Sequence, residues 1–255
     1  MCINLIYRNL NRVEQRLKHY YWTTYFSIIS RRSPDGVEYI WKRTGSRKLI
    51  IVFSAMGKGK YNYYRSLRNA IGDQLYIRDC WANNASYYWY EGGQDYPEKY
   101  TQNLIDNVIH RGQYTEIFTV GSSKGGTAAL YFGMKNNVDL VYAGACQYRV
   151  GDYLSRHQYK TKPEQWELVV GGKPNSEWIR ILDSKLEMMI ESRKNGRTKV
   201  NLLYSTKEHT YLEHIVPLIH KLEECNISHK DQIESFTEHS SLGQPFKKAI
   251  MDFFQ

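Results

Sequence analysis

Hydrophobic positions along the chain fall into two kinds of run. Lys48 to Ala55, KLIIVFSA, is continuously apolar where a half-exposed strand would alternate, so it reads as a strand buried on both faces. Gln74 to Arg78, Glu116 to Val120, Leu140 to Ala143, Val200 to Tyr204 and Ile233 to Phe236 read as further strands. Between them lie helix-period stripes: Pro97 to His110, with Leu104, Ile105, Val108 and Ile109 on one side, then Gly125 to Lys135, Tyr211 to Cys225 and Pro245 to Phe254. Asn175 to Asn195 is one helix, capped by Asn175 or Ser176 and stopped at Gly196. Upstream, Tyr21 to Ile29 is rich in β-formers and Ser33-Pro34-Asp35-Gly36 is a turn signal before Val37 to Lys42, which together predict a hairpin. Ile3, Leu5, Ile6, Leu10, Val13 and Leu17 recur at helical spacing among Arg8, Arg12, Arg16 and Lys18. Such a helix docks on its own domain or lies on a membrane surface.

Strands alternating with helices argue for a mainly parallel sheet with right-handed crossovers, an α/β fold with helices on both faces. No repeat, linker or low-complexity stretch divides residues 1–255, so one domain is expected. From Gly151 to Gly172 the periodicity dissolves into aromatic residues and glycines. Residues 151–198 therefore read as a small helical cap inserted in that domain.

Composition changes this picture little. The charge of +9, from 35 Lys and Arg against 26 Asp and Glu, favours anionic partners, but no long basic run marks a nucleic-acid arm. The 22 tyrosines suit either carbohydrate contacts or ordinary packing. Cys2, Cys80, Cys146 and Cys225 are too scattered for a zinc site or a disulfide framework and fit a reducing compartment. With no secretory leader and no apolar run of membrane-spanning length, a cytoplasmic location is expected.

Candidate chemistry centres on Gly121-Ser122-Ser123-Lys124-Gly125, a G-x-S-x-G pattern between a strand and a helix. In that setting the serine sits on a sharp bend, and the helix behind it points N–H groups and a positive dipole end at the site. Ser123 is the candidate nucleophile. Its partners should follow later strands, an acid and then a histidine. Glu208, past Val200 to Tyr204, and His239, past Ile233 to Phe236, meet that requirement, with Glu213 as the other candidate acid. The candidate oxyanion donors are backbone N–H groups of Lys124 and of Ser54 and Ala55, after the first buried strand. Glu208, His209 and His214 lack the H-E-x-x-H frame of a zinc helix, and no metal is expected.

LIIVFSA followed by KYNYYRSL, then NNASYYW, then GSSKGG leading into AALYFGMK, resembles the capsule O-acetyltransferases of the meningococcal serogroup A type. A related domain occurs in the accessory secretion proteins of Gram-positive bacteria. The likeness runs from about Lys48 to the C-terminus. It implies an α/β-hydrolase-like three-layer sandwich and an acyl-enzyme on Ser123, with His239 as base and an acid in the YSTKEHTYL segment. That family places Asp where this chain has Glu208. It further implies acetyl-CoA as co-substrate, a polysaccharide or oligosaccharide acceptor, and work beside the cytoplasmic membrane or the capsule assembly machinery. Lys58, Lys60 and Lys124 are candidate ligands for CoA phosphates, GACQYRVGDYL for the acceptor side, and Trp166 and Trp178 for sugar stacking. A serine esterase using water as acceptor, and a non-catalytic partner in glycan assembly, remain as alternatives.

Overall fold

The computed structural model describes residues 20–56, 61–158 and 162–255, together with Glu14, Leu17 and Lys160. Among the described residues eight strands form one sheet: β1 (Arg31–Arg32), β2 (Glu38–Lys42), β3 (Lys48–Phe53), β4 (Asp73–Ile77), β5 (Glu116–Ser122), β6 (Leu140–Gly144), β7 (Lys199–Tyr204) and β8 (His229–Ile233). Their spatial order is β1-β2-β4-β3-β5-β6-β7-β8. β1 and β2 run antiparallel to their neighbours, and β4 onward are mutually parallel.

The continuous apolar run in β3 has a direct cause. Leu49, Ile51 and Phe53 point into one core, and Ile50 and Val52 into the other. The first core lies under α3 (Tyr96–Gly112), α4 (Lys124–Lys135) and α7 (Ser176–Glu191). The second lies under α2 (Tyr64–Leu67) and α9 (Gly243–Phe254) and takes up the aromatic side chains of a helix over 20–29, here α1. Helices therefore cover both sheet faces. The other α-helices among the described residues are α5 (Val150–Tyr153), α6 (Pro163–Val170) and α8 (Val216–Glu224), with π-turns at Leu154–Gln158 and Tyr211–Ile215 and short 3-10 turns at Ala82–Asn84 and His239–Leu242.

Two expectations are corrected. Tyr21 to Ile29 is helical, and the hairpin shrinks to β1, the turn at Ser33 to Gly36, and β2. Trp22, Tyr25 and Phe26 stand at i, i+3 and i+4, a helical stripe that packs on Tyr61 and Tyr64. Aromatic β-propensity yields here to tertiary packing. The last strand is His229–Ile233, not Ile233 to Phe236. It is a polar edge strand, and Phe236 instead lies buried in the loop beyond it. Apart from Glu14 and Leu17, the proposed N-terminal amphipathic stretch lies outside the described residues, as do Cys2, Lys58 and Lys60.

The antiparallel end of the sheet is pinned by Asp73. Its Oδ1 accepts from the N–H and hydroxyl of Thr44, at 2.6 and 3.0 Å, and from the N–H groups of Gly45 and Ser46, while Oδ2 accepts from Tyr114, 2.7 Å away. Burial alone would raise this carboxyl's pKa, but the hydrogen bonds outweigh it and hold it below the ordinary aspartate range. Its contribution is therefore complete above that range and is lost as pH falls through the lowered folded-state value. Asp73→Ala should cost about 2–4 kcal/mol, read by urea unfolding at neutral pH, with a difference from wild type that narrows in acid.

Candidate active site

β5 ends at Ser122 and α4 begins at Lys124, so Ser123 is the single residue that turns the chain. Its backbone sits at φ 53° and ψ −130°, a region that costs an L-residue about 1–3 kcal/mol. Ser123 N–H donates to Gly144 O at 2.7 Å, and its carbonyl accepts from Gly126 and Thr127 N–H. The flanking glycines make the bend possible. A Cβ on Gly121 would lie 2.1 Å from Gly125 O, and one on Gly125 would lie 2.5 Å from Phe53 O. The small residues around the serine are thus a packing requirement as well as a motif.

His239 and Glu208 come from loops past β8 and β7, over the same C-terminal edge of the sheet. His239 Nε2 lies 2.8 Å from Ser123 Oγ, and its Nδ1 lies 2.8 Å from Glu208 Oε1. The side chain of Glu208 is sealed from solvent and that of His239 partly exposed, so the chain of hydrogen bonds runs from the interior to the surface. Thr210 Oγ1 donates to Glu208 Oε2 at 2.6 Å. Burial disfavours the charged form of Glu208, but the hydrogen bonds from His239 and Thr210 and the fields of His239 and His209 hold its carboxyl below the ordinary glutamate range. A charged Glu208 fixes the Nδ1–H tautomer and leaves Nε2 free to accept the serine proton. The extra methylene of glutamate, relative to aspartate, is thus accommodated. Glu213 lies beyond it in the π-turn Tyr211–Ile215, and the Nδ1 position of His239 is filled by Glu208.

The backbone donors are only partly as expected. Lys124 N–H is the first of α4 and has no acceptor within its own helix, as required of an oxyanion donor. Ser54 is corrected: its N–H is held by Ile77 O at 3.2 Å and by Tyr88 Oη at 2.8 Å, behind the elbow. Ala55 N–H donates to Asn62 Oδ1 at 3.1 Å, so that side chain must turn away before the N–H can meet a ligand.

The side chain of Lys124 is the largest correction. It is fully buried, with Nζ 2.6 Å from Asp79 Oδ2 and 2.7 Å from Asn84 O. A sealed, paired ammonium cannot meet CoA phosphates. Trp166 is likewise fully buried and offers no face to a sugar, while Trp178 packs edge-on against Tyr90 with ring centroids 5.2 Å apart. Two contributors were not singled out from sequence, Thr210 and Gln147. Gln147 lies within the GACQYR stretch just past β6, where α/β sheets hold their ligands, and its Nε2 is 3.4 Å from Ser123 Oγ.

No protein-family model and no curated protein matches this sequence. Solved structures do. The capsule O-acetyltransferase of Neisseria meningitidis serogroup A is 20% identical with a TM-score of 0.72, covering 89% of this chain and 94% of that one. A histidine-to-alanine variant of that enzyme, in complex with CoA, superposes with a TM-score of 0.71. A glycosylation-associated protein complex from Streptococcus agalactiae matches at 15% identity and a TM-score of 0.69, over 87% of this chain and 45% of that one. FphF, a fluorophosphonate-binding serine hydrolase of Staphylococcus aureus, matches at 12% identity and 0.65, over 89% and 96%. The chain shares their architecture: it has the α/β-hydrolase fold, with Ser123, His239 and Glu208 gathered at the C-terminal edge of its parallel strands.

Proposed function

We propose that the chain is an O-acetyltransferase that moves an acetyl group from acetyl-CoA to a hydroxyl of a bacterial surface polysaccharide or its precursor. The observation that carries this reading is the unbroken line from Glu208 through His239 to Ser123, on a serine held in the strained bend of a nucleophile elbow. The likeness in fold to a capsule O-acetyltransferase, a variant of which was solved with CoA, supports the choice of donor and acceptor.

In this reading Ser123 Oγ attacks the thioester carbonyl carbon as its proton passes to His239 Nε2. Glu208 stabilises the imidazolium that forms, and Lys124 N–H faces the developing oxyanion. Collapse breaks the C–S bond, and His239 returns the proton to the departing thiolate. A sugar hydroxyl then gives its proton to His239 and attacks the acetyl-serine, and the second collapse restores Ser123. Residues 151–198 act as a cap that limits water access to the acetyl-serine. The excess positive charge suits CoA phosphates and an acidic glycan, and the four widely spaced cysteines, with no paired spacing in the sequence, support work on the cytoplasmic side.

A serine esterase would share every step but the last. Incubating the protein with acetyl-CoA, with and without a chemically de-O-acetylated capsular polysaccharide, separates the two. CoA release that requires the polysaccharide, with acetyl ester appearing on it, is the expected result. Release at the same rate without polysaccharide would instead make the protein a hydrolase. No release, and no labelling of Ser123 by a fluorophosphonate, would make it non-catalytic.

A further inference from the structure

The hydrogen-bond line at Ser123 has a fourth member whose orientation follows from the other three. Glu208, as a carboxylate, can only accept, so His239 Nδ1 must donate to it across 2.8 Å. The lone pair of that neutral imidazole is then on Nε2, and Ser123 Oγ, 2.8 Å away, donates its one proton there. What remains on Oγ is acceptor capacity alone. The side-chain amide of Gln147 meets that oxygen at 3.4 Å, so the atom facing it must be the Nε2 donor.

The rest of Gln147 is built to keep it so. Its side chain has no solvent exposure. Tyr87 Oη donates to its Oε1 at 3.3 Å, which opposes an amide flip. Its backbone is clamped to α4 at both polar atoms: Gln147 N–H donates to Thr127 Oγ1 at 3.0 Å, and Thr127 Oγ1 donates to Gln147 O at 2.9 Å. A fully buried amide, held by Tyr87 at its oxygen, carried on a backbone clamped to Thr127 and aimed at the oxygen of Ser123, is more than packing requires.

We propose that Gln147 is a further catalytic residue, whose Nε2–H stabilises negative charge on Ser123 Oγ. The inference rests on the acyl-serine reading above. When Oγ gives its proton to His239 and attacks, charge gathers on Oγ before the new C–O bond takes it up. When the acetyl-serine collapses, the C–Oγ bond breaks and its electron pair returns to Oγ while His239 gives back the proton. The Gln147 N–H faces that charge both times, whereas Lys124 N–H serves the carbonyl oxygen. The same bond orients the resting serine, because an accepted proton on one side of Oγ leaves its own proton directed at His239.

Rates of covalent labelling by a fluorophosphonate probe test this without the natural acceptor. Gln147→Met keeps length and removes the donor. It should lower the limiting labelling rate ~10- to 100-fold with the half-saturating probe concentration little changed, while the Tyr87 hydroxyl it leaves unpaired lowers the melting temperature modestly without unfolding the protein. Gln147→Glu replaces the donor with an acceptor that competes with His239 for the serine proton. Its labelling rate relative to wild type should fall as pH rises and the carboxyl loses the proton with which it could donate, a trend that a packing defect, lowering the rate by a constant factor, would not produce. A folded Gln147→Met protein that labels at the wild-type rate overturns the proposal. If Gln147→Met fails to fold, a Gln147→Glu protein with the wild-type pH profile does the same. A wild-type chain that does not label at all removes the acyl-serine itself, and the two failures are thereby told apart.

Discussion

Ser123→Ala and His239→Ala are each expected to lower acetyl transfer by about 10^3- to 10^6-fold while leaving the fold intact. The reason is that the two groups act as one unit across a 2.8 Å hydrogen bond. Without the imidazole the hydroxyl has no base to take its proton, and without the hydroxyl the base has nothing to activate. Removing both should therefore cost little more than removing either. Glu208→Gln should cost about 10^4-fold, because a neutral amide can hold the imidazole in the wrong tautomer. Glu208→Gln should also change the acid limb of stability. The glutamate's lowered pKa means that its charge stabilises the fold above the ordinary glutamate range and ceases to do so as pH falls through the lowered value. The amide should flatten that limb. Turnover of the single and double variants with acetyl-CoA, beside melting curves for each, checks the set. Near-wild-type transfer by a folded Ser123→Ala protein would end the acyl-serine mechanism, and a silent Glu208→Gln beside a crippled Glu213→Gln would reassign the acid.

Most of this site could be read from the sequence because its constraints are local. A bend at φ 53° needs small neighbours, and Gly121 and Gly125 are therefore written into the chain on either side of Ser123. Strands buried on both faces are unbroken apolar runs, so β3 and β6 could be placed within a residue or two. Glu208 and His239 followed from their positions after late strands. The failures are equally physical. β8, HKDQI, is an edge strand with one side in water, so its polarity hid it and the apolar residues beyond it drew the expectation. α1 was obscured because residues such as Trp22 and Tyr25 favour strands intrinsically and were recruited to a helix by rings elsewhere in the chain. Gln147 has no motif: only its place after β6 hinted at it, and its orientation depends on partners 24 and 60 residues away. Ser54 and Lys124 show the same limit from the other side. A residue's type gives its chemistry, but burial and partners decide whether that chemistry reaches a ligand.

Lys124 gives the second large effect. The Asp79 carboxylate that holds its ammonium also accepts from Ser86 Oγ at 2.6 Å and from Trp81 N–H at 3.3 Å. Between those partners Ala82, Asn83 and Asn84 have positive φ, and so do Tyr87 and Tyr88 just beyond Ser86. Tyr88 then returns to Ser54 behind the elbow. The ion pair thus ties the first residue of α4 to a strained loop and, through it, to the end of β3. Burial lowers the proton affinity of Lys124 despite the charge of Asp79. Lys124→Met strands a buried carboxylate and should cost about 3–5 kcal/mol, a fall in melting temperature of roughly 6–20 °C. Asp79→Asn should cost a similar amount by stranding the ammonium. In the double variant neither charge is left alone, so most of the loss should be recovered, and unfolding curves for all four proteins measure the coupling. A phosphate-binding lysine would behave otherwise: Lys124→Met would melt with the wild type and raise the KM for acetyl-CoA. That outcome would return the side chain to the surface and refute the pairing with Asp79.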